Sequence, residues 1–67
     1  MNPQANIASR SAIYEATSAI QNLSRAFTDD RTPPAVRRDL ELARERLVAA
    51  MENVTIAIQF SQEMLKP

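Results

Sequence analysis

The placement of helix-breaking residues is the feature that most constrains this chain. Its 67 residues contain no glycine, which argues against tight β-hairpin turns and excludes glycine-rich phosphate or dinucleotide loops. Pro3 and the pair Pro33 and Pro34 stand where the first turn of a helix tolerates proline. We therefore predict one all-α domain over residues 1–67. A helix at about 3–28, a hinge at about 29–33 and a helix at about 34–65 form an antiparallel hairpin.

Each predicted helix carries apolar residues at the three- and four-residue spacing of a helix-packing seam. In the first helix this seam is Ile13, Ala16, Ile20, Leu23 and Phe27. A strip of small residues runs beside it and permits close helix approach: Ala5, Ala8, Ala12, Ala19 and Ala26. In the second helix the seam is Val36, Leu40, Ala43, Leu47, Met51, Val54, Ile58 and Leu65. The pattern predicts that the two seams face each other and form the core.

A second apolar stripe lies nearly opposite the first on the second helix. It consists of Leu42, Ala49, Ile56 and Phe60. A two-helix hairpin covers only one side of this helix, and an exposed stripe of large apolar residues favours association. The stripe therefore predicts a homo-oligomeric helical bundle with these four residues in the interface. The alternative is scattered surface apolarity, which is common for single residues.

The composition argues against most enzyme chemistry. The chain has no cysteine and no histidine, so thiol nucleophiles, disulfides and imidazole-based acid–base catalysis or metal binding are excluded. Its carboxylates are interleaved with arginines, which is typical of a solvated helix face. We expect a protein that is not an enzyme, with no catalytic residue, no metal and no cofactor.

The charge balance and the ends of the chain bear on partners and location. Eight basic residues match eight acidic ones, which argues against DNA or an anionic membrane as a partner. Residues 1–11 lack the features of a targeting segment, and the apolar stretch at 54–60 is too short to cross a bilayer. We therefore expect a soluble, cytoplasmic protein.

Recognition groups are concentrated on the first helix. Arg10, Tyr14, Gln21 and Arg25 share a polar stripe with three hydroxyl residues, Thr17, Ser24 and Thr28. An aromatic ring, guanidinium groups and an amide are the groups that bind the base and phosphates of a nucleotide. An ordinary polar flank is the alternative. The arginines around the hinge have two interpretations as well, salt-bridge scaffolding or phosphate binding.

The second helix also carries a family resemblance, in the pattern Arg38-x-Leu40-x-Leu42-Ala43-x-x-x-Leu47-x-x-Ala50-Met51-x-x-x-x-x-Ala57-Ile58. This pattern resembles the second helix of the anti-CBASS and anti-Thoeris hairpin family of phage nucleotide sponges. The resemblance implies short hairpins that assemble into multimers. It also implies that they sequester cyclic nucleotide signals in pockets between protomers.

Two further resemblances compete with it. The segment from Ala50 to Lys66 is similar to the small hairpin co-chaperone of the type III secretion needle subunit, which implies binding of another protein's helix. The chain length is similar to that of dimeric hairpins that bind RNA, such as plasmid copy-number regulators. The three hypotheses share a fold and differ in the partner.

Overall fold

The computed structural model describes residues 2–28 and 30–64, with only the backbone of the last two. Helix α1 spans Pro3–Ala26 and helix α2 spans Pro33–Met64. They pack against each other as a hairpin 56 Å long, with a cross-section of 13 Å by 11 Å. The predicted all-α helical hairpin is confirmed, and the described residues contain no strand.

Helix α1 begins as its sequence predicts. The Asn2 side-chain oxygen accepts hydrogen bonds from the backbone N–H groups of Gln4, at 2.8 Å, and Ala5, at 3.4 Å. Pro3 fills the first helical position, where the missing N–H has no partner to lose. Asn2 is therefore the N-cap.

The end of α1 comes two residues before the predicted residue 28. The Phe27 N–H donates to the Ser24 carbonyl at 3.3 Å, and the Thr28 N–H donates to the Arg25 carbonyl at 3.1 Å. Both bonds reach back three residues, so the last turn tightens and the helix stops. Thr32 then stands just before α2, and its carbonyl accepts from the Val36 N–H at 3.0 Å. The predicted end of α2 at Leu65 lies outside the described residues.

The core consists of small residues. Six alanines are the buried apolar side chains, with at most 8% exposure: Ala5, Ala8, Ala12, Ala19, Ala43 and Ala50. Among the described side chains, no large one is fully buried. The strip of alanines that the sequence places beside the α1 seam is therefore the side of α1 that meets α2.

The prediction that the two large apolar seams face each other is wrong. Ile13 and Ile20 are more than 60% exposed, and Phe27 is 82% exposed. On α2 the larger seam residues are exposed as well, namely Leu40, Leu47, Met51, Val54 and Ile58. Among the described residues of that predicted seam, only Ala43 is buried.

Helix geometry explains this outcome. At about 100° per residue, the buried α2 positions Asp39, Ala43 and Ala50 point between the two apolar stripes of that helix. Alanine ends at Cβ, so two helices approach closely along such positions. At that separation, large side chains do not fit between the axes. They project to either side of the contact.

The large seam residues consequently lie side by side. Ile13 and Ala16 of α1 line the same groove as Val54 and Ile58 of α2, and steps of seven residues keep Ile20 and Leu47 on that side. We call this surface the apolar face. Its large members are Ile13, Ile20, Phe27, Leu40, Leu47, Met51, Val54 and Ile58. Neither helix, as far as it is described, contains a stretch long and apolar enough to cross a membrane.

Candidate functional site

The apolar face contains two adjoining grooves. The larger has a volume of about 550 Å³ and is lined by both helices, from Ala12 and Ile13 to Val54 and Ile58. The smaller, about 490 Å³, is lined by Leu47, Met51 and Thr55 and shares Ala50 and Val54 with the first. Because two residues belong to both, the grooves form one continuous surface.

Two of the hydroxyl groups along these grooves donate within their own helices. The Ser9 hydroxyl donates to the Ala5 carbonyl at 2.8 Å, and the Thr55 hydroxyl donates to the Met51 carbonyl at 3.0 Å. Neither groove is lined by a charged residue. The surface therefore suits apolar side chains better than a charged small ligand.

The four residues predicted as an oligomer interface lie on the other side of α2. Leu42, Ala49 and Phe60 are partly buried, and Ile56 is 41% exposed. Ile56 and Phe60 line a cavity of about 250 Å³ together with Ile7 of α1. Part of this stripe is thus covered within the hairpin, and its role in an interface stays a prediction.

The predicted ligand residues lie on the side of α1 that faces solvent. Arg10, Tyr14, Gln21 and Arg25 are all exposed, Tyr14 by 75%. Arg10 and Tyr14 line one shallow cavity of about 350 Å³ together with Ile13. Gln21 and Arg25 lie farther along the helix, Arg25 roughly 16 Å from Tyr14 at 1.5 Å per residue. The structure therefore brings together two of the four residues.

The ion pairs separate the arginines into two groups. In the described part of the chain, Arg31 pairs with Asp39, Arg37 with Glu41 at 2.9 Å, and Arg46 with Glu15 across the helices at 3.6 Å. Salt-bridge scaffolding is thus observed for Arg31, Arg37 and Arg46. Arg10, Arg25, Arg38 and Arg44 form no ion pair with another described residue, so their guanidinium groups are the ones considered for binding an anion.

A fourth cavity, of about 380 Å³, lies on α2 and is lined by Arg37, Leu40, Glu41 and Arg44. Its Arg37 is held by Glu41 on the next turn. Across the described residues, no acidic side chains come together in a group of three that would hold a metal ion.

The apolar face, as a joint surface of both helices, was not predicted from the sequence. The signal was present in the spacing of the alanines. Ala5, Ala12 and Ala19 recur every seven residues on α1, and Ala43 and Ala50 do so on α2. A seven-residue alanine repeat on each helix indicates a close contact between them, and the larger seam residues are then displaced to the flank.

The chain was compared with protein families, curated proteins and solved structures. No family model, no curated protein and no solved structure matches this chain.

Proposed function

We propose that this protein is a non-enzymatic binding protein that acts stoichiometrically, as an assembly of hairpins, and that its ligand is a nucleotide. The observation that carries the proposal is the cavity formed by Arg10, Ile13 and Tyr14. An arginine that forms no ion pair with a described residue and an exposed aromatic ring lie together there, one helical turn apart. The proposal agrees with the resemblance of α2 to the phage nucleotide sponges.

The chemistry of this cavity suits a base and a phosphate. The Tyr14 ring offers a face for stacking, which contributes about 1–3 kcal/mol per base. The Arg10 guanidinium offers a planar pair of donors for phosphate oxygens. Gln21 and Arg25 continue the polar stripe along α1, and Arg25 would contact a second phosphate only in a ligand that extends roughly 16 Å beyond Tyr14.

The Arg10–Tyr14 cavity lies at the edge of the apolar face, and this position supports a ligand site shared between two protomers. Ile13 lines both the Arg10–Tyr14 cavity and the large groove of the apolar face. A protomer seated on the apolar face would therefore supply a further wall to a cavity that is open in a single hairpin. This is the arrangement that the sponge resemblance implies, with the ligand held between protomers.

Calorimetric titration with a panel of cyclic di- and trinucleotides tests the proposal. We expect micromolar or tighter binding by the wild type, and at least a tenfold loss in Tyr14→Ala, because stacking is removed. Tyr14→Phe is the matched control, since it keeps the ring and should keep most of the affinity. If no nucleotide produces heat with the wild type, the nucleotide proposal is wrong.

A second candidate function is favoured by the apolar groove of about 550 Å³. A groove between two helices accepts the apolar side of a third helix, as a co-chaperone or adaptor would require. In that case Ile58→Asp should abolish capture of the partner helix, whereas Tyr14→Ala should leave it intact. The nucleotide proposal expects Tyr14→Ala to be the variant that loses its ligand.

A further inference from the structure

The apolar face is too large to be left in water. Its eight large side chains are between 45% and 82% exposed, and they follow one another along both helices. Monomeric proteins rarely expose a contiguous apolar surface of more than a few hundred Å². Another surface is therefore needed to cover this face.

We infer that a second copy of this chain covers it, so that two hairpins pack face to face as a four-helix bundle. This inference rests on the assembly of hairpins in the proposed function, and it names the surface that forms the assembly. That surface differs from the stripe of Leu42, Ala49, Ile56 and Phe60 that the sequence predicted.

Because the core of the hairpin consists of small side chains, covering the apolar face contributes to folding. The buried apolar side chains are six alanines, and no large described side chain is fully buried. Alanine burial removes little apolar area from water, whereas every ordered residue loses conformational entropy. A chain of this size therefore needs additional buried surface, and Ile13, Leu47 and Met51 supply it only when they are covered.

A partner required for folding must be present whenever the chain is made. A second copy meets that condition at equal concentration, and association then stabilises the fold by mass action. The charges are compatible with self-association. The grooves contain no charged lining residue, and the net charge of the chain is zero, so two copies do not repel each other through their net charge.

The dimensions also fit a dimer. One whole side of the hairpin, 56 Å long and 13 Å wide, has a flat area on the order of 700 Å², close to the ~800 Å² that one partner contributes to a standard interface. The large apolar residues from Leu40 to Ile58 occupy about 27 Å of that length, at 1.5 Å per residue. The face is two helices wide, so two such faces stacked on each other give the four helices of a bundle. A single foreign helix would leave part of it exposed.

The test compares matched substitutions on the two sides of α2. Leu47 on the apolar face and Ile56 on the opposite stripe have nearly equal exposure, 45% and 41%. Sedimentation equilibrium of the wild type should give at least twice the 7.5 kDa mass of the chain. Leu47→Glu should lower that mass at least twofold, and Ile56→Glu should leave it unchanged. A folded wild-type monomer, or loss of mass in Ile56→Glu alone, would overturn the inference.

Because Leu47→Glu will reduce helicity if assembly and folding are coupled, a second measurement uses a folded variant. The chain has no cysteine, so Met51→Cys and its neighbour Glu52→Cys each introduce a single thiol. A bis-maleimide should link Met51→Cys protomers into covalent dimers and leave Glu52→Cys monomeric on a denaturing gel. Equal linking of both variants would contradict the proposed face.

The outcomes for assembly and for ligand are separable. A dimer through the apolar face that binds no nucleotide would retain this inference and refute the ligand. A monomer that binds a nucleotide would do the reverse. If the wild type is a monomer that associates only with an added foreign helical peptide, the apolar face binds another protein's helix and the proposed dimer is wrong.

Discussion

Arg31 reaches forward from the interhelical connection to Asp39, eight residues later in α2. The distance between the guanidinium nitrogen and the carboxylate oxygen is 2.5 Å. The same guanidinium nitrogen of Arg31 donates to the Ala35 carbonyl at 3.4 Å. Asp39 is 5% exposed, so a charged residue lies on the buried side of α2 next to the alanines. The pair joins the connection to the start of α2 and restrains the bend of the hairpin.

Removing Arg31 should destabilise the hairpin. Arg31→Ala leaves the Asp39 carboxylate buried without its cation, and loss of a charged hydrogen bond costs about 1.5–3 kcal/mol. Urea unfolding followed by circular dichroism measures the change. Arg37→Ala is the control, since its pair with Glu41 is exposed and should contribute at most about 1 kcal/mol. Equal effects of the two variants would show that the Arg31–Asp39 pair does not restrain the bend.

Enlarging an alanine in the helix contact should also destabilise the protein. Ala19 is fully buried, and Ala19→Leu adds a branched side chain in the contact between the helices. Overpacking of this kind typically costs about 1–3 kcal/mol. Thr17→Leu adds a similar side chain at an exposed position of α1 and should change the unfolding free energy little. Stabilisation by Ala19→Leu would show that the alanine contact is not close-packed.

Loss of the N-cap should weaken α1. Asn2→Ala removes the acceptor for the N–H groups of Gln4 and Ala5, which typically costs about 0.5–2 kcal/mol. Asn2→Asp retains an acceptor and adds a negative charge at the positive end of the helix dipole. Thermal melts should therefore give Asn2→Ala the lowest melting temperature of the three proteins. The reverse order would contradict the cap.

Nucleotide affinity should depend on Arg10 and Arg25, which form no ion pair with a described residue, and not on the paired arginines. Arg10→Ala and Arg25→Ala each remove a charge-assisted phosphate contact, which contributes roughly 1.5–3 kcal/mol and corresponds to at least a tenfold loss of affinity. Arg37→Ala is again the control, because that side chain is held by Glu41. Titration calorimetry should find its affinity unchanged. A common loss in all three variants would indicate non-specific attraction of an anion.

Binding should leave the ligand intact. The chain has no histidine or cysteine, and the cavity is lined by Arg10, Ile13 and Tyr14 without a carboxylate, so these residues offer no acid–base pair of the usual kind. A nucleotide incubated with substoichiometric protein should elute unchanged on chromatography. Cleavage that depends on Tyr14 or Arg10 would instead identify an enzyme.

The local structure of this protein could be predicted from its sequence. The Asn2–Pro3 start of α1, the break before Pro33 and the long helices between breakers depend on residues close together in the chain. A capping oxygen or a missing prolyl N–H group affects the backbone only within a few residues of its own position. Because the chain contains no glycine, no glycine interrupts the helices between these positions. The position of Arg10 one turn before Tyr14 is a consequence of helix geometry alone.

The choice of which side of each helix lies inside was decided by the tertiary structure. Periodicity shows that α2 is apolar on two sides, and it placed the large side chains of Leu47 and Ile58 in the core because larger side chains bury more area. In the hairpin the backbones approach most closely at the alanines, and the large residues move to the flanks. The distance between two helix axes depends on both helices at once, so neither helix alone determines it. That distance placed Ile13 beside Val54 on an open face, where the sequence predicted a closed core.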